Sequence, residues 1–150
     1  MKSIFNKIEI EHFINRLNQL KPDSQPLWGK MSAVQMLAHC NVTYEMLYEN
    51  KHPKPGFFMK LMLKTFVKNS VVNEKMYPKN SRTAPQFIIS DHRNFENEKH
   101  RLINFMKRAQ EEGSASFEGK ESHSFGKLTS QEWNNMMVKH LEHHFGQFGI

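Results

Sequence analysis

Residues 129–150 read TSQEWNNMMVKHLEHHFGQFGI and indicate one helix with three histidines near its end, His140, His143 and His144. His140 and His144 are four residues apart, so on a helix they project from one face, about 6 Å apart. This is the spacing at which a single helix offers two imidazoles to one metal ion. A metal site usually needs a third protein ligand, so a further histidine is expected from elsewhere in the chain.

The histidine pair falls on the apolar stripe of this helix. At spacings of three or four residues, the stripe consists of Trp133, Met137, His140, His144 and Phe148. The pair is therefore predicted to face the protein interior. Two interpretations stay open at this point: each imidazole hydrogen-bonds a neighbour in the core, or both bind a metal.

Four amphipathic helices are predicted along the chain. They span residues 3–20, 32–49, from 90 or 91 to 113, and 129–150, with loops at 22–31, 73–89 and 113–128. Capping boxes mark the starts of the second helix, at Ser32 and Gln35, and of the fourth, at Thr129 and Glu132. The sequence thus predicts an all-α fold, a four-helix bundle that forms one domain over residues 1–150.

A basic insertion, residues 51–82, separates the second and third predicted helices. It holds seven Lys and one Arg against one Glu, a net charge of +7 in a chain of net charge +6. Lys60, Lys64 and Lys68 recur every four residues, which predicts a short amphipathic helix with a basic stripe. We expect this stripe to be the solvated face of a helix lying over the bundle; the alternative is binding to phosphates or to an anionic membrane surface. No nucleic-acid-binding motif accompanies it, so no nucleic-acid partner is expected.

The second predicted helix offers a third ligand, His39, which lies between Met36 and Thr43 on the apolar stripe. A lone histidine in such a place is more often a core residue with its hydrogen bonds satisfied. Helix bundles, however, build metal sites from side chains on facing helices. His39 with His140 and His144 gives three imidazoles and an open coordination position, which is the arrangement of a catalytic site.

Two other histidines are candidates for the surroundings of the ligands. His143 points about 100° away from His144 around the helix, so it is expected at the surface or beside the ligands, without sharing their metal. His123 precedes the fourth helix in the connector, where a solvated loop position is expected and the mouth of the bundle is the alternative.

Few groups are placed for nucleophilic or general-base chemistry. Cys40 follows His39 directly and points away from it, so a small buried core residue is expected. Glu45 and Glu142 fall off the inward stripes of their helices and are expected to be solvated. No catalytic residue is therefore assigned.

The composition indicates the cellular compartment and the residues that fill the core. A single Cys excludes an intrachain disulfide, and the charged N-terminus lacks the apolar stretch of a signal peptide. No apolar run is long enough to span a membrane, so a cytoplasmic protein is expected. Twelve Phe and ten Met are expected to fill the core; lining an apolar pocket is the alternative.

Two stretches, WGKMSAVQMLAHC at residues 28–40 and HSFGKLTSQEWNNMMVKHLEHHFGQFG at residues 123–149, resemble a known superfamily. They are similar to the DinB/YfiT-like metalloenzyme superfamily, in a branch described only as a domain of unknown function. The resemblance covers most of the chain and is loose over residues 51–85.

The mark of that superfamily is a His in the second helix and an H-x-x-x-H near the end of the last helix, commonly followed by Gly-Gln. The matching residues here are His39, His140, His144, Gly146 and Gln147. The resemblance implies a four-helix bundle in which the three histidines hold a divalent metal, usually zinc or nickel. Trp28 and His123 belong to the branch pattern and, with Gln147, are implied to lie near the site. His143 is kept as a possible residue beside the ligands on its helix position alone, with the surface favoured.

Characterised relatives in the superfamily include transferases and isomerases that use a low-molecular-weight thiol, and many are dimers. The resemblance therefore implies a metal-dependent enzyme of the thiol-transferase type that acts on a small electrophilic substrate, and a homodimer. The alternative is a non-enzymatic bundle that binds a metal or small ligand, such as a sensor or stress-response protein.

Overall fold

The computed structural model describes residues 2–150, and most of them are helical, which confirms the all-α prediction. The helices are α1 (Lys7–Leu17), α2 (Ala33–Tyr48), α3 (Phe57–Met62), α4 (Lys68–Val72), α5 (Phe95–Glu112) and α6 (Ser130–Gln147). A π-helical turn, Leu63–Val67, joins α3 to α4. Two short strands, β1 (Lys120–Ser122) and β2 (Gly126–Leu128), pair antiparallel.

Both predicted capping boxes are confirmed. The Ser32 side chain accepts from the backbone N–H of Gln35 at the start of α2, and the side-chain oxygen of Gln35 accepts from the backbone N–H of Ser32. Thr129 and Glu132 do the same at the start of α6. These reciprocal bonds satisfy N–H groups that the first helical turn leaves without partners, and they fix the first residue of the two helices that carry the candidate ligands.

The other two long helices begin later than predicted, because asparagine caps them. The Asn6 side chain accepts from backbone N–H groups in the first turn of α1, which starts at Lys7 instead of near Ser3. Asn94 caps α5 in the same way, so the predicted start at Ser90 or Asp91 is wrong. Asparagine is as good an N-cap as serine or aspartate, and its side chain decides the boundary here.

The connector after α5 contains structure that the sequence did not indicate. Gly113 ends α5 as predicted, with a positive φ of 71° that favours glycine. The following residues, predicted to be a loop, include the β1–β2 hairpin, in which Lys120 lies opposite Leu128. Leu128 is buried in the core, so the hairpin anchors the chain just before α6 begins.

One hydrophobic core joins the four long helices, α1, α2, α5 and α6. Tyr44 of α2 stacks on Phe105 of α5 with ring centroids 5.5 Å apart, and Phe13 of α1 meets Phe145 of α6 edge-on at 5.8 Å. Within residues 2–150, no helix combines the length and apolarity needed to cross a membrane.

The basic insertion is helical over residues 57–72, as predicted, and two of its lysines form ion pairs with other parts of the chain. Lys60 pairs with Glu121 at 2.6 Å and Lys68 pairs with Glu132 at 2.7 Å, so both lysines are held against the body of the protein. Neither α3 nor the π-helical turn contributes a buried residue to the core. The lysine stripe is solvated at Lys64, as expected, whereas Lys60 and Lys68 are partly exposed and form ion pairs. Large apolar side chains of the same segment also face solvent.

Candidate metal centre

Three histidines from two helices converge at one point. His39 of α2 and His140 and His144 of α6 each offer one ring nitrogen, and these nitrogens lie within 4.8 Å of one another. The Nε2 atoms of His39 and His140 are 2.9 Å apart, and the ring centroids of His39 and His144 are 4.5 Å apart. The three side chains are thus positioned to bind a metal ion.

An oxygen atom holds the other ring nitrogen of each histidine. The Nδ1 of His39 lies 2.9 Å from the carbonyl oxygen of Phe87, and the Nδ1 of His144 lies 2.9 Å from Oε1 of Gln147. The Nδ1 of His140 lies 3.0 Å from the hydroxyl of Thr43. Metal-binding histidines commonly have such a partner, which sets the tautomer and the orientation of the ring.

These partners determine which nitrogens carry protons. A carbonyl oxygen only accepts, so Nδ1 of His39 must donate to Phe87. The Gln147 amide nitrogen donates to the carbonyl oxygen of Trp28, so its oxygen faces His144 and accepts from Nδ1. His39 and His144 therefore both turn an Nε2 lone pair towards the common point, as a metal requires.

The Thr43 hydroxyl completes the set because it can donate or accept. With Thr43 accepting from Nδ1 of His140, all three Nε2 lone pairs point at the same place. With Thr43 donating, Nε2 of His140 carries the proton and donates to His39, but Nε2 of His144 still has no protein hydrogen-bond partner in the part of the chain that the structure describes. The convergent arrangement fits a divalent cation and leaves one coordination position for a further ligand.

The site favours neutral imidazoles. Burial lowers the pKa of His39, and it lowers the pKa of His140 well below its ordinary value, with the neighbouring histidines adding to the effect. Burial and the neighbouring His39 lower the pKa of His144 to about 3. Only a neutral imidazole binds a metal, so the surroundings keep the three side chains in the form that binds.

His140 is the most exposed of the three candidate ligands. His39 and His144 are buried, whereas His140 is half-buried. The ring of Phe87 covers the same region, with its centroid 5.2 Å from that of His39 and 5.8 Å from that of His140. Phe87 also lines a groove of about 250 Å³ on the protein surface. No sequence pattern indicates a role for Phe87, because it lies in a long loop and contacts His39 through its backbone as well as its ring.

Gln147 is held by the connector before α2. Its side-chain nitrogen donates to the backbone carbonyl oxygen of Trp28 at 2.8 Å, and its backbone carbonyl oxygen accepts from the backbone N–H of Leu27 at 2.7 Å. Gly29 lies against the same side chain, and a Cβ there would approach Nε2 of Gln147 to 2.6 Å. The resemblance implied that Trp28 and Gln147 are near the site; the structure places Gln147 against His144 and Trp28 behind Gln147.

His143 is beside the cluster but is not part of it. Its ring centroid lies 4.9 Å from that of His144, 6.0 Å from the Trp28 ring and 5.9 Å from the Tyr77 ring. Burial lowers its pKa, and the backbone of Tyr77 partly opposes this effect. His143 is half-buried under two aromatic side chains. Its position combines the two expectations, because it lies beside the ligands and keeps partial contact with solvent.

His123 contacts other residues. Its Nε2 lies 3.3 Å from the carbonyl oxygen of His52, and its Nδ1 lies 2.9 Å from the hydroxyl of Ser124. It is 9% exposed, so the expected solvated position is wrong. The structure does not bring it into the group of three converging histidines.

The remaining candidates for chemistry are engaged elsewhere. Cys40 is fully buried, as expected, and burial raises its pKa, which disfavours the nucleophilic thiolate. Glu45 is buried between Arg101 and His52, so its expected solvation is wrong. Glu142 is partly buried and pairs with two cations from the N-terminal part of the chain.

A comparison with protein-family models matches residues 5–149, almost the whole chain. The chain belongs to the family described as Protein of unknown function (DUF1569). Comparisons with curated proteins and with solved structures gave no match. The family description states no activity, so the function is argued from the histidine cluster.

Proposed function

We propose that this protein binds one divalent metal ion, zinc or nickel, through His39, His140 and His144. We further propose that it is a metal-dependent enzyme of the thiol-transferase type, acting on a small electrophilic substrate. The observation that carries the proposal is the convergence of three ring nitrogens while an oxygen partner holds each Nδ1. If the three were only hydrogen-bonded core histidines, Nε2 of His144 would have no partner among the described residues. In a site where three imidazoles bind one metal, every ring nitrogen has a partner.

Three protein ligands leave one position of a four-coordinate metal open for a small molecule. A divalent cation bound there would lower the pKa of a coordinated thiol or water. The chain supports this chemistry by keeping the imidazoles neutral and by fixing their orientation through Phe87, Thr43 and Gln147. The half-buried side of His140, next to the Phe87 ring, is the approach by which we propose that a low-molecular-weight thiol reaches the site.

The architecture supports a place in the DinB/YfiT-like superfamily. Four long helices share one core, and the ligands come from the second and the last of them, as the resemblance implied. We therefore propose the four-helix bundle of that superfamily as the arrangement of α1, α2, α5 and α6. The homodimer, the cytoplasmic location and the absence of a nucleic-acid partner stay predictions from the sequence.

Metal analysis tests the binding step. Wild-type protein, purified gently and loaded with zinc or nickel, should carry about one metal ion per chain, as expected for a single set of three ligands. His140→Ala removes one of three ligands and should lose most of this metal. His143→Ala changes an adjacent histidine of the same helix that is outside the cluster, so it should keep wild-type stoichiometry. Wild-type protein without bound metal, or equal loss in both variants, would contradict the proposal.

Turnover separates an enzyme from a binding protein. Metal-loaded wild type should accelerate the loss of free thiol when a thiol and a soluble electrophile are supplied together, and His140→Ala should not. Stoichiometric metal without any thiol consumption would instead support the alternative, a non-enzymatic metal- or ligand-binding protein.

A further inference from the structure

Seven large apolar side chains face solvent on the segment from α3 to the π-helical turn, which we call the apolar surface. Its members are Phe57, Phe58, Met59, Leu61, Met62, Phe66 and Val67, of which the three phenylalanines are 78–80% exposed. Phe58, Met62 and Phe66 are four residues apart, so they lie along one side of the helical segment. An exposed apolar row of this kind in a soluble chain calls for a partner that covers it.

The size of the apolar surface supports this reading. With about 200 Å² for each aromatic side chain, the three phenylalanines alone present roughly 450 Å² to solvent. The largest apolar patch of a typical monomer is about 300–600 Å², and the four aliphatic members extend this one beyond that range. The patch is therefore of the size found at interaction sites.

The body of the protein holds the segment in this orientation. Lys60 and Lys68 pair with Glu121 of β1 and Glu132 of α6, and these two ion pairs connect the segment to the rest of the protein. At its C-terminal end, Lys139 of α6 donates to the carbonyl oxygens of Ser70 and Asn73. The phenylalanines are thus presented outward by fixed contacts.

Exposed lysines lie within and next to the segment that carries the apolar surface. Lys64 is exposed between Leu61 and Phe66, and Lys54 is exposed just before Phe57. Neither lysine forms an ion pair within the part of the chain that the structure describes. A second copy meeting this surface symmetrically would bring two such groups of like charge together, which disfavours that contact.

We propose that the apolar surface docks on a lipid bilayer with anionic phospholipid headgroups. The phenylalanine, methionine and leucine side chains would enter the boundary between headgroups and acyl chains, and the unpaired lysines would meet the phosphates. Exposed Phe and Leu beside Lys is the composition of helices that lie in this boundary. The proposal does not depend on the metal centre, because none of these residues contacts the three histidines.

Vesicle sedimentation tests the proposal on the full chain. Wild type should sediment with vesicles of phosphatidylglycerol and phosphatidylcholine in equal parts, more weakly at higher salt, and should stay in solution with phosphatidylcholine alone. Phe66→Ser should weaken binding by about tenfold, since one buried Phe contributes about that factor. The matched control is Ile8→Ser, because Ile8 is 76% exposed on α1, against 78% for Phe66, and lies outside the surface.

Charge reversal provides a second test of the same proposal. Lys64→Glu should weaken binding to the anionic vesicles, whereas Lys107→Glu, at an exposed position on α5, should leave it unchanged. All four variants change exposed side chains, and circular dichroism checks that they fold. The proposal is overturned if wild type does not sediment with anionic vesicles, if it binds both vesicle types equally, or if Phe66→Ser binds as strongly as wild type. Light scattering that shows a dimer lost in Phe66→Ser, without vesicle binding, would instead assign the surface to a second copy.

Discussion

At the residue scale, the orientation of His144 depends on a glycine far from α6 in sequence. Gly29 has a φ of 80°, and a Cβ there would lie 2.6 Å from Nε2 of Gln147. Since the side-chain oxygen of Gln147 accepts a hydrogen bond from Nδ1–H of His144, Gly29→Ala should displace the amide and loosen the imidazole. We expect divalent metal affinity to fall by about 10- to 100-fold, the usual effect of losing a partner of a metal-binding histidine. Competition titration with a chromophoric chelator measures it.

Gly126 supplies the matched control for this change. Its φ is 76°, but no other atom lies within 4 Å of the place where a Cβ would be. Gly126→Ala therefore introduces similar backbone strain, about 1–2 kcal/mol, without a steric conflict. It should keep wild-type metal affinity. Equal affinity losses in the two variants would show that backbone strain, and not the displacement of Gln147, controls the site.

At the element scale, side chains of α6 cap the end of α4. The ammonium group of Lys139 donates to the carbonyl oxygens of Ser70 and Asn73 and to the Asn73 side chain, at 2.8–2.9 Å. The Asn135 side chain donates to the carbonyl oxygen of Val72 at 2.9 Å. The last carbonyls of a helix have no partner within it and favour a positive charge, so these contacts hold α4 on α6.

Replacing this buried lysine should release α4. Burial lowers the pKa of Lys139 to about 8, yet its three hydrogen bonds match the three donors of a charged ammonium. Lys139→Met removes those donors, and we expect urea unfolding to show a loss of about 3 kcal/mol. Hydrogen exchange of residues 68–73 should also accelerate. Lys107→Met, at an exposed position on α5, should change stability by less than about 0.5 kcal/mol, and unchanged exchange in Lys139→Met would refute the capping role.

The same helix shows how far the sequence can predict this structure. The spacing of Trp133, Met137 and His144 predicts an inward stripe, and all three are buried. Spacing does not predict that Asn135 and Lys139 are buried as well, because their partners lie more than sixty residues earlier in the chain. Periodicity locates side chains that are buried by the hydrophobic effect, whereas buried polar side chains depend on which carbonyl groups the fold brings to them.

In the histidine cluster, too, the sequence predicts some of the contacts and not others. The separation of His140 and His144 by one helical turn is a local property, so the sequence predicts it directly. The contact of His39 with Phe87 depends on the path of a long loop, which has no periodic pattern to reveal it. The three converging histidines were thus predictable, and two of the three oxygen atoms that orient them lie on residues, Phe87 and Thr43, that were not expected to have this role.

At the scale of the whole molecule, a bound metal ion would connect two helices that are far apart in sequence. His39 and His140 are separated by 101 positions, so the complete set of ligands exists only in the folded chain. A ligand that binds only the folded state stabilises it by about 2.7 kcal/mol at a hundred times its Kd. For a chain of 150 residues we therefore expect zinc or nickel to raise the Tm by roughly 5–10 °C.

Thermal unfolding with and without metal tests this linkage, because it reports on the joint contribution of α2 and α6. His39→Ala removes the only ligand from α2 and should abolish most of the rise in Tm, even though both ligands of α6 remain. His143→Ala keeps all three ligands and should show the wild-type rise. If His39→Ala were stabilised as much as wild type, the metal would be held by α6 alone or at another place. The connection between the two helices would then have no part in the stability of the fold.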